Sequence, residues 1–131
     1  MDYVFVLPIP ATTAITSPVT RSLRIPKGDI TEVRVIFPVG CADLAHVRIF
    51  ALDKQIYPSN LGSYYQGDGV FFLIRDRYPL SEFVQEVKVE GYNEDDTYQH
   101  TVTVGITVIP SEKARGAGGL ADVLRERFGF S

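Results

Sequence analysis

Few side chains in this sequence could do chemistry. It contains two histidines, His46 and His100, and one cysteine, Cys41. Two imidazoles with a carboxylate from Asp95 or Asp96 would make a set of metal ligands, but their spacing matches no metal-binding motif such as HExxH. Each histidine falls in a predicted strand, and we interpret both as solvent-facing strand residues.

The remaining candidate groups also lack a recognisable motif. Cys41 lies in a Gly-Cys-Ala-Asp turn, and no histidine is placed by sequence to activate it. The acidic run 93–96 offers oxygen ligands of the kind calcium prefers, but it lacks the EF-hand pattern, and a solvated hairpin turn is the simpler interpretation. We therefore expect no catalytic residue, no metal ligand and no cofactor, and we do not expect an enzyme.

Charge and hydropathy narrow the class of partner. The 131 residues carry 13 basic and 16 acidic side chains, a net charge of −3, with the basic residues spread among the acids. A protein that binds a phosphate backbone has a basic patch instead. No window approaches the roughly 20 apolar residues that a membrane-spanning helix needs. We expect one domain, with neither nucleic acid nor a membrane as its partner.

Alternation of apolar and polar residues dominates the middle of the chain. This period of two is typical of half-buried strands, and it occurs in residues 30–37, 46–52, 83–91 and 101–109, with a weaker version in 20–25. Turn-forming residues separate these segments, among them Pro26-Lys27-Gly28-Asp29 and Gly67-Asp68-Gly69. The sequence therefore predicts an all-β fold, an antiparallel β-sandwich or jelly roll, over residues 19–110.

One predicted strand is apolar on both faces. Residues 70–74 read VFFLI, which is typical of a central strand or of a strand that meets a neighbouring subunit. The aromatic pair just before it, Tyr64 and Tyr65, is a candidate contact surface, since tyrosine brings a large area and a polar tip. These two rings could instead stack on sugars or pack within the domain.

The two ends of the chain need something to pack on. Residues 1–18 form a proline-broken arm that cannot be a central strand, and it could add to a sheet edge of its own or of another subunit. Residues 111–131 form a glycine hinge and a short amphipathic helix, which is marginal alone in water and packs either on its own sandwich or, through the hinge, on a neighbour. We predict that both ends supply an interface, through Tyr3, Val4, Phe5, Val6 and Leu7 of the arm and Leu120, Val123, Leu124 and Phe128 of the helix.

Two stretches carry a family resemblance: GDITEVRVIFPVGCADLAHVRIFALDKQIYPSN and VKVEGYNEDDTYQHTVTVGITVIP. Together they resemble small β-sandwich virion proteins of tailed bacteriophages and related proviruses. The resemblance implies a capsid decoration (cement) protein, assembled in the host cytoplasm, that binds the major capsid protein or other virion subunits as a homo-oligomer, with a trimer favoured. It supplies no catalytic residues. Deletion of residues 1–18 would then leave the body folded but weaken assembly.

A second hypothesis stays open beside the structural one. The chain could be a β-sandwich module that recognises glycans or ions through Tyr64, Tyr65 and the acidic turn 93–96. Such a module would be a stable monomer whose melting temperature rises with sugar or calcium.

Overall fold

The computed structural model describes residues 1–110, apart from the side chains of residues 81–84, and this part of the chain is all-β. Its seven strands are β1 (Asp2–Ile9), β2 (Val19–Phe37), β3 (Ala45–Ala51), β4 (Lys54–Tyr57), β5 (Tyr65–Gln66), β6 (Val70–Asn93) and β7 (His100–Pro110). They form one antiparallel sheet with the order β1-β7-β2-β6-β3-β4, and β5 also pairs with β3. The prediction of an all-β antiparallel fold is confirmed, and the hinge and helix predicted for 111–131 lie outside the described residues.

The two long strands, β2 and β6, divide the sheet into two halves. In the first half, residues 28–36 of β2 lie between β7 and β6, and β1 adds to the far side of β7. In the second half, residues 19–25 of β2 pair with residues 85–91 of β6, whose other side pairs with β3. One long hairpin therefore carries the chain through both halves.

The turn predicted at residues 26–29 does not form, and β2 continues through it with a register shift. Pro26 lacks an amide donor, so it is tolerated at such an irregularity. Gly28 allows β7 to approach closely, because a Cβ there would lie 2.5 Å from the carbonyl oxygen of Ile109. The local signal for a reversal was therefore wrong, and these residues make a bulge instead.

The inward faces of the strands make a single core. The predicted inward residues Val33, Val35, Phe37, Val47, Ile49, Ala51, Val87, Val89, Val102, Val104, Ile106 and Val108 are all buried. In the weaker segment 20–25 the predicted alternation is not found, because Ile25 is buried but Leu23 is exposed. The core also joins the two halves, because a Cβ on Gly91 of β6 would lie 2.7 Å from Cδ1 of Ile9 and 3.0 Å from Cδ2 of Leu7. The sheet is thus folded so that β1 packs against the second half.

The N-terminal segment is part of this body. Residues 2–9 pair with β7 at the edge of the chain's own sheet, a position that accepts Pro8 because its missing donor faces no partner. Phe5, Leu7 and Ile9 are buried in the core. The expectation that the body stays folded without residues 1–18 therefore loses its basis.

A candidate interaction surface

The outward side of the first half carries a contiguous apolar surface, which we call the outer face. The strand register places two rows of residues across β1, β7, β2 and β6: Val6, Thr103, Ile36 and Phe71 in one row, and Val4, Gly105, Arg34 and Leu73 in the next. The apolar members are well exposed, with Phe71 65% and Val4 57% accessible. Monomeric proteins rarely leave extensive apolar patches of this kind in water.

A third row of the outer face is charged. Asp2, Thr107, Glu32 and Arg75 lie side by side on the same four strands. The hydroxyl of Thr107 donates to Oδ1 of Asp2 at 2.6 Å, and this bond, with Arg34 nearby, lowers the pKa of Asp2. Nε of Arg75 lies 3.7 Å from Oε1 of Glu32. The apolar rows are therefore bordered by a charged row that has Asp2 at one end, Glu32 within it and Arg75 at the other end.

Arg34 is held flat across the middle of this surface. Its Nη1 donates to Oε2 of Glu32 at 2.7 Å and to Oγ1 of Thr107 at 3.1 Å. The guanidinium lies over Gly105, where a Cβ would be 2.6 Å from Nη2. Glycine at this position lets the arginine lie low, and the face between Val4 and Leu73 stays shallow.

The residues predicted from the arm divide between the two sides of β1. Phe5 and Leu7 are buried in the chain's own core, and Tyr3 packs at its margin. They are therefore already used within the chain. Val4 and Val6 lie on the outer face, where a neighbour could reach them. The other predicted residues, Leu120, Val123, Leu124 and Phe128, lie outside the described residues.

Sequence reasoning omitted the residues that complete this surface. Ile36, Phe71 and Leu73 are exposed, yet they were absent from the predicted interface. The signal was present in the VFFLI run, whose apolar residues point to both sides of the sheet. Its inward members, Phe72 and Ile74, pack against the core, so its outward members are left for a partner.

The two adjacent tyrosines face opposite sides of the sheet. Tyr65 packs inward, with its ring centroid 5.4 Å from that of Phe72, and burial raises the pKa of its hydroxyl. Tyr64 lies on the outward side of the second half, where its ring meets Tyr92 edge to face at 5.0 Å. They cannot act as one contact surface.

Tyr64 belongs to a polar and aromatic cluster on β3 and β6. Three successive cross-strand pairs, His46 with Tyr92, Arg48 with Glu90 and Phe50 with Lys88, line this side. His46 stacks on Tyr92 at 4.4 Å, and Arg48 lies 4.6 Å above the ring of Tyr64. Nε of Arg48 donates to Oε1 of Glu90 at 2.6 Å. These groups satisfy one another and stiffen the second half.

The loop between β6 and β7 is closed by its own side chains. The buried Asn93 donates to the carbonyl oxygens of Ile9 and Tyr98 and accepts from the amide of Asp95. Asp95 in turn accepts from the amides of Thr97 and Tyr98. These backbone donors, with His100, lower the pKa of Asp95. The acidic run therefore folds the loop, and its buried carboxylate is already engaged.

The interpretation of both histidines as solvent-facing was wrong. His46 and His100 are 7% and 8% exposed. Nε2 of His46 lies 3.0 Å from Oε1 of Glu94, and Nε2 of His100 lies 2.8 Å from Oδ2 of Asp95. Residues 94 and 95 thus supply one carboxylate to each ring, and the ring of His46 also stacks on Tyr92.

The described residues also bear on three other features, namely a reactive cysteine, a metal site and a membrane-spanning helix. Cys41 is buried, and this burial raises the pKa of its thiol, so it is a poor nucleophile at neutral pH. Residues 1–110, outside the gap at 81–84, contain no group of three or more His, Cys, Asp or Glu side chains placed to hold a metal ion. In the same part of the chain, no helix has the length and apolar character to span a membrane.

No protein-family model and no curated protein matches this chain. The case for a function therefore depends on the outer face of the first half, on the outward side of the second half, and on what each can bind.

Proposed function

We propose that this protein is a structural subunit of a virion, a capsid decoration protein that binds the major capsid protein or other virion subunits as a homo-oligomer. The observation that supports this is the outer face, on which Val4, Val6, Ile36, Phe71 and Leu73 are exposed together on a rigid sheet. A folded sheet with both halves around one core also suits a β-sandwich or jelly-roll subunit.

The proposed mechanism is burial of this face against other subunits. Each large apolar side chain that becomes fully buried contributes about 1.5–3 kcal/mol before ordering costs. The paired charges beside it, from Asp2 to Arg75, would form the polar rim that such interfaces have. A rigid sheet loses little conformational entropy on binding, which favours a subunit that stabilises a shell.

The virion setting can be tested by where the protein is found. We expect particles from the host that carries this gene, purified on a density gradient, to contain the chain in a fixed ratio to the capsid protein. Phe71→Arg should lower that ratio, because it places a charge in the buried contact. Leu61→Arg is the matched control, since Leu61 is exposed on a turn away from the outer face. A chain that remains at the top of the gradient contradicts the proposal.

A hollow in the second half favours one other candidate, a glycan- or ion-binding module. It has a volume of about 360 Å³ and lies between residues 12–15 and Tyr92, Asn93 and Glu94. Arg48 already covers one face of the Tyr64 ring, which reduces the area left for a sugar. A melting temperature unchanged by a glycan panel and by calcium would remove this candidate.

A further inference from the structure

We infer that the outer face is the contact between two copies of this chain, related by a two-fold axis that runs parallel to the strands between β7 and β2. This inference depends on the homo-oligomer in the proposed function but not on the virion setting. It names the partner of the face, and it follows from the order of residues in the three rows.

The two-fold rotation reverses the order of the four strands and leaves position along the strands unchanged. β1 of one copy then lies over β6 of the other, and β7 lies over β2. Each row consequently faces the same row of the second copy. Two sheets packed in this way are aligned, which is one of the two arrangements that sheets adopt face to face.

The apolar rows match under this rotation. Val6 faces Phe71 of the second copy, and Val4 faces Leu73 of the second copy. In the row of Val6 the central positions also fit by size, because Ile36 faces a threonine, Thr103. In the next row each Arg34 guanidinium already covers the Gly105 of its own chain and keeps its bond to Glu32. Every contact between the copies occurs twice, as an isologous interface requires.

The charged row matches as well. Asp2 at one end faces Arg75 of the second copy at the other end, so opposite charges meet at both edges of the contact. An axis across the strands would instead place the charged row on the row that holds Val6 and Phe71, so that charges would be buried against apolar side chains with no opposite charge on the second copy. The opposite charges at the two ends of this row thus select both the occupant, a second copy, and the direction of the axis.

The first experiment measures the mass of the full chain by analytical ultracentrifugation over a range of concentrations. We expect a dimer, or an even-numbered assembly that contains it, for the wild type and for Leu61→Arg. Phe71→Arg should weaken the association at least tenfold. A full chain that is monomeric at about 100 μM, where even weak specific interfaces associate, overturns the inference.

The second experiment exchanges charges between copies. Asp2→Arg or Arg75→Asp alone places like charges at both edges, and we expect each variant to associate about tenfold more weakly than the wild type. A mixture of the two variants restores opposite charges at both edges of the mixed pair. Native mass spectrometry should therefore show the mixed dimer in excess over either homodimer.

The mixture is informative because the contacts that residues 2 and 75 make within their own chain are the same in mixed and unmixed pairs. Loss of the bond between Asp2 and Thr107, or of the contact between Arg75 and Glu32, weakens a chain equally in a mixed and an unmixed pair. Only a contact between Asp2 of one copy and Arg75 of the other predicts recovery. If the two variants associate no more tightly with each other than each does with itself, the inference is overturned. This holds also if the chain forms a three-fold assembly.

The two proposals fail separately. A monomer that still sediments with virions overturns this inference, since the face would then bind a capsid protein or the chain's own residues 111–131. A dimer with the charge-exchange behaviour that is absent from virions supports this inference and contradicts the proposed virion function.

Discussion

At the scale of single residues, the groups with the most chemical potential stabilise local structure. Asn93 and Asp95 resemble part of a cation site in sequence, but their oxygens accept hydrogen bonds from the loop that contains them. His100 is buried and bonded to Asp95. A buried carboxylate with several donors stays ionised to low pH, so this loop links folding to proton binding.

Asp95→Asn tests that link. The folded state lowers the pKa of Asp95, so the carboxylate stabilises the fold above its unfolded pKa of about 3.9. This stabilisation is lost as the pH falls below that value and through the lower pKa of the folded state. We expect Asp95→Asn to lower the free energy of unfolding at pH 7 and to flatten its decrease below about pH 4, measured by urea denaturation.

Asp96→Asn is the matched control for this prediction. Asp96 is exposed and accepts a bond only from the hydroxyl of Thr97 among the described residues, so its loss should change little. An Asp95→Asn profile parallel to that of the wild type would show that the carboxylate does not link folding to pH.

At the scale of the elements, one side of β1 packs in the core and the other side belongs to the outer face. Leu7 is buried between the halves, and truncation of such a residue costs about 2–5 kcal/mol. Its neighbour Val6 is exposed, and surface changes usually stay within about 0.5 kcal/mol. We expect Leu7→Ala to destabilise the chain by that larger amount and Val6→Ala to leave it nearly unchanged.

Urea denaturation at low protein concentration, where association is suppressed, measures both variants of β1. Ultracentrifugation then separates the two sides of the strand, because Val6→Ala should weaken association while Leu7→Ala at a permissive temperature should not. Equal effects of the two variants on stability would mean that β1 is not packed on the body as the structure has it.

Much of the sheet could be predicted from sequence because alternation is a local property. The inward residues of β3 and β7 were identified correctly for that reason. The continuation of β2 through Pro26 and Gly28 could not, since it depends on the close approach of Ile109, which is 81 positions further along the chain. Likewise the prolines placed residues 2–9 at a sheet edge, but no local signal says whose edge it is.

The candidate surface was only partly predictable for a similar reason. The VFFLI run indicated a strand with two apolar sides, yet its union with Val6 and Ile36 requires the strand order β1-β7-β2-β6. The burial of His46 was missed because Tyr92 and Glu94, from a distant segment of the chain, pack against it. Pairing between distant segments determines each of these features, and one sequence alone does not specify that pairing.

At the scale of the whole molecule, the two outward surfaces differ in character. The second half presents charges and rings that contact one another, such as Arg48 with Glu90 and Tyr64. The first half presents apolar side chains whose neighbours on the same face leave them exposed. A molecule with this asymmetry gains most free energy by covering the first half, so association and stability should be coupled.

The concentration dependence of the melting temperature measures that coupling. If only the folded chain associates, a tenfold rise in concentration stabilises each chain of a dimer by about 0.7 kcal/mol, half of the 1.4 kcal/mol per tenfold. With an unfolding entropy of about 2.1 cal/mol/K per residue, this raises the melting temperature by about 2–3 °C. Phe71→Arg should remove the dependence, and Leu61→Arg should preserve it. If Phe71→Arg keeps the wild-type slope, subunits meet through some other surface, and the outer face is not what couples their stability.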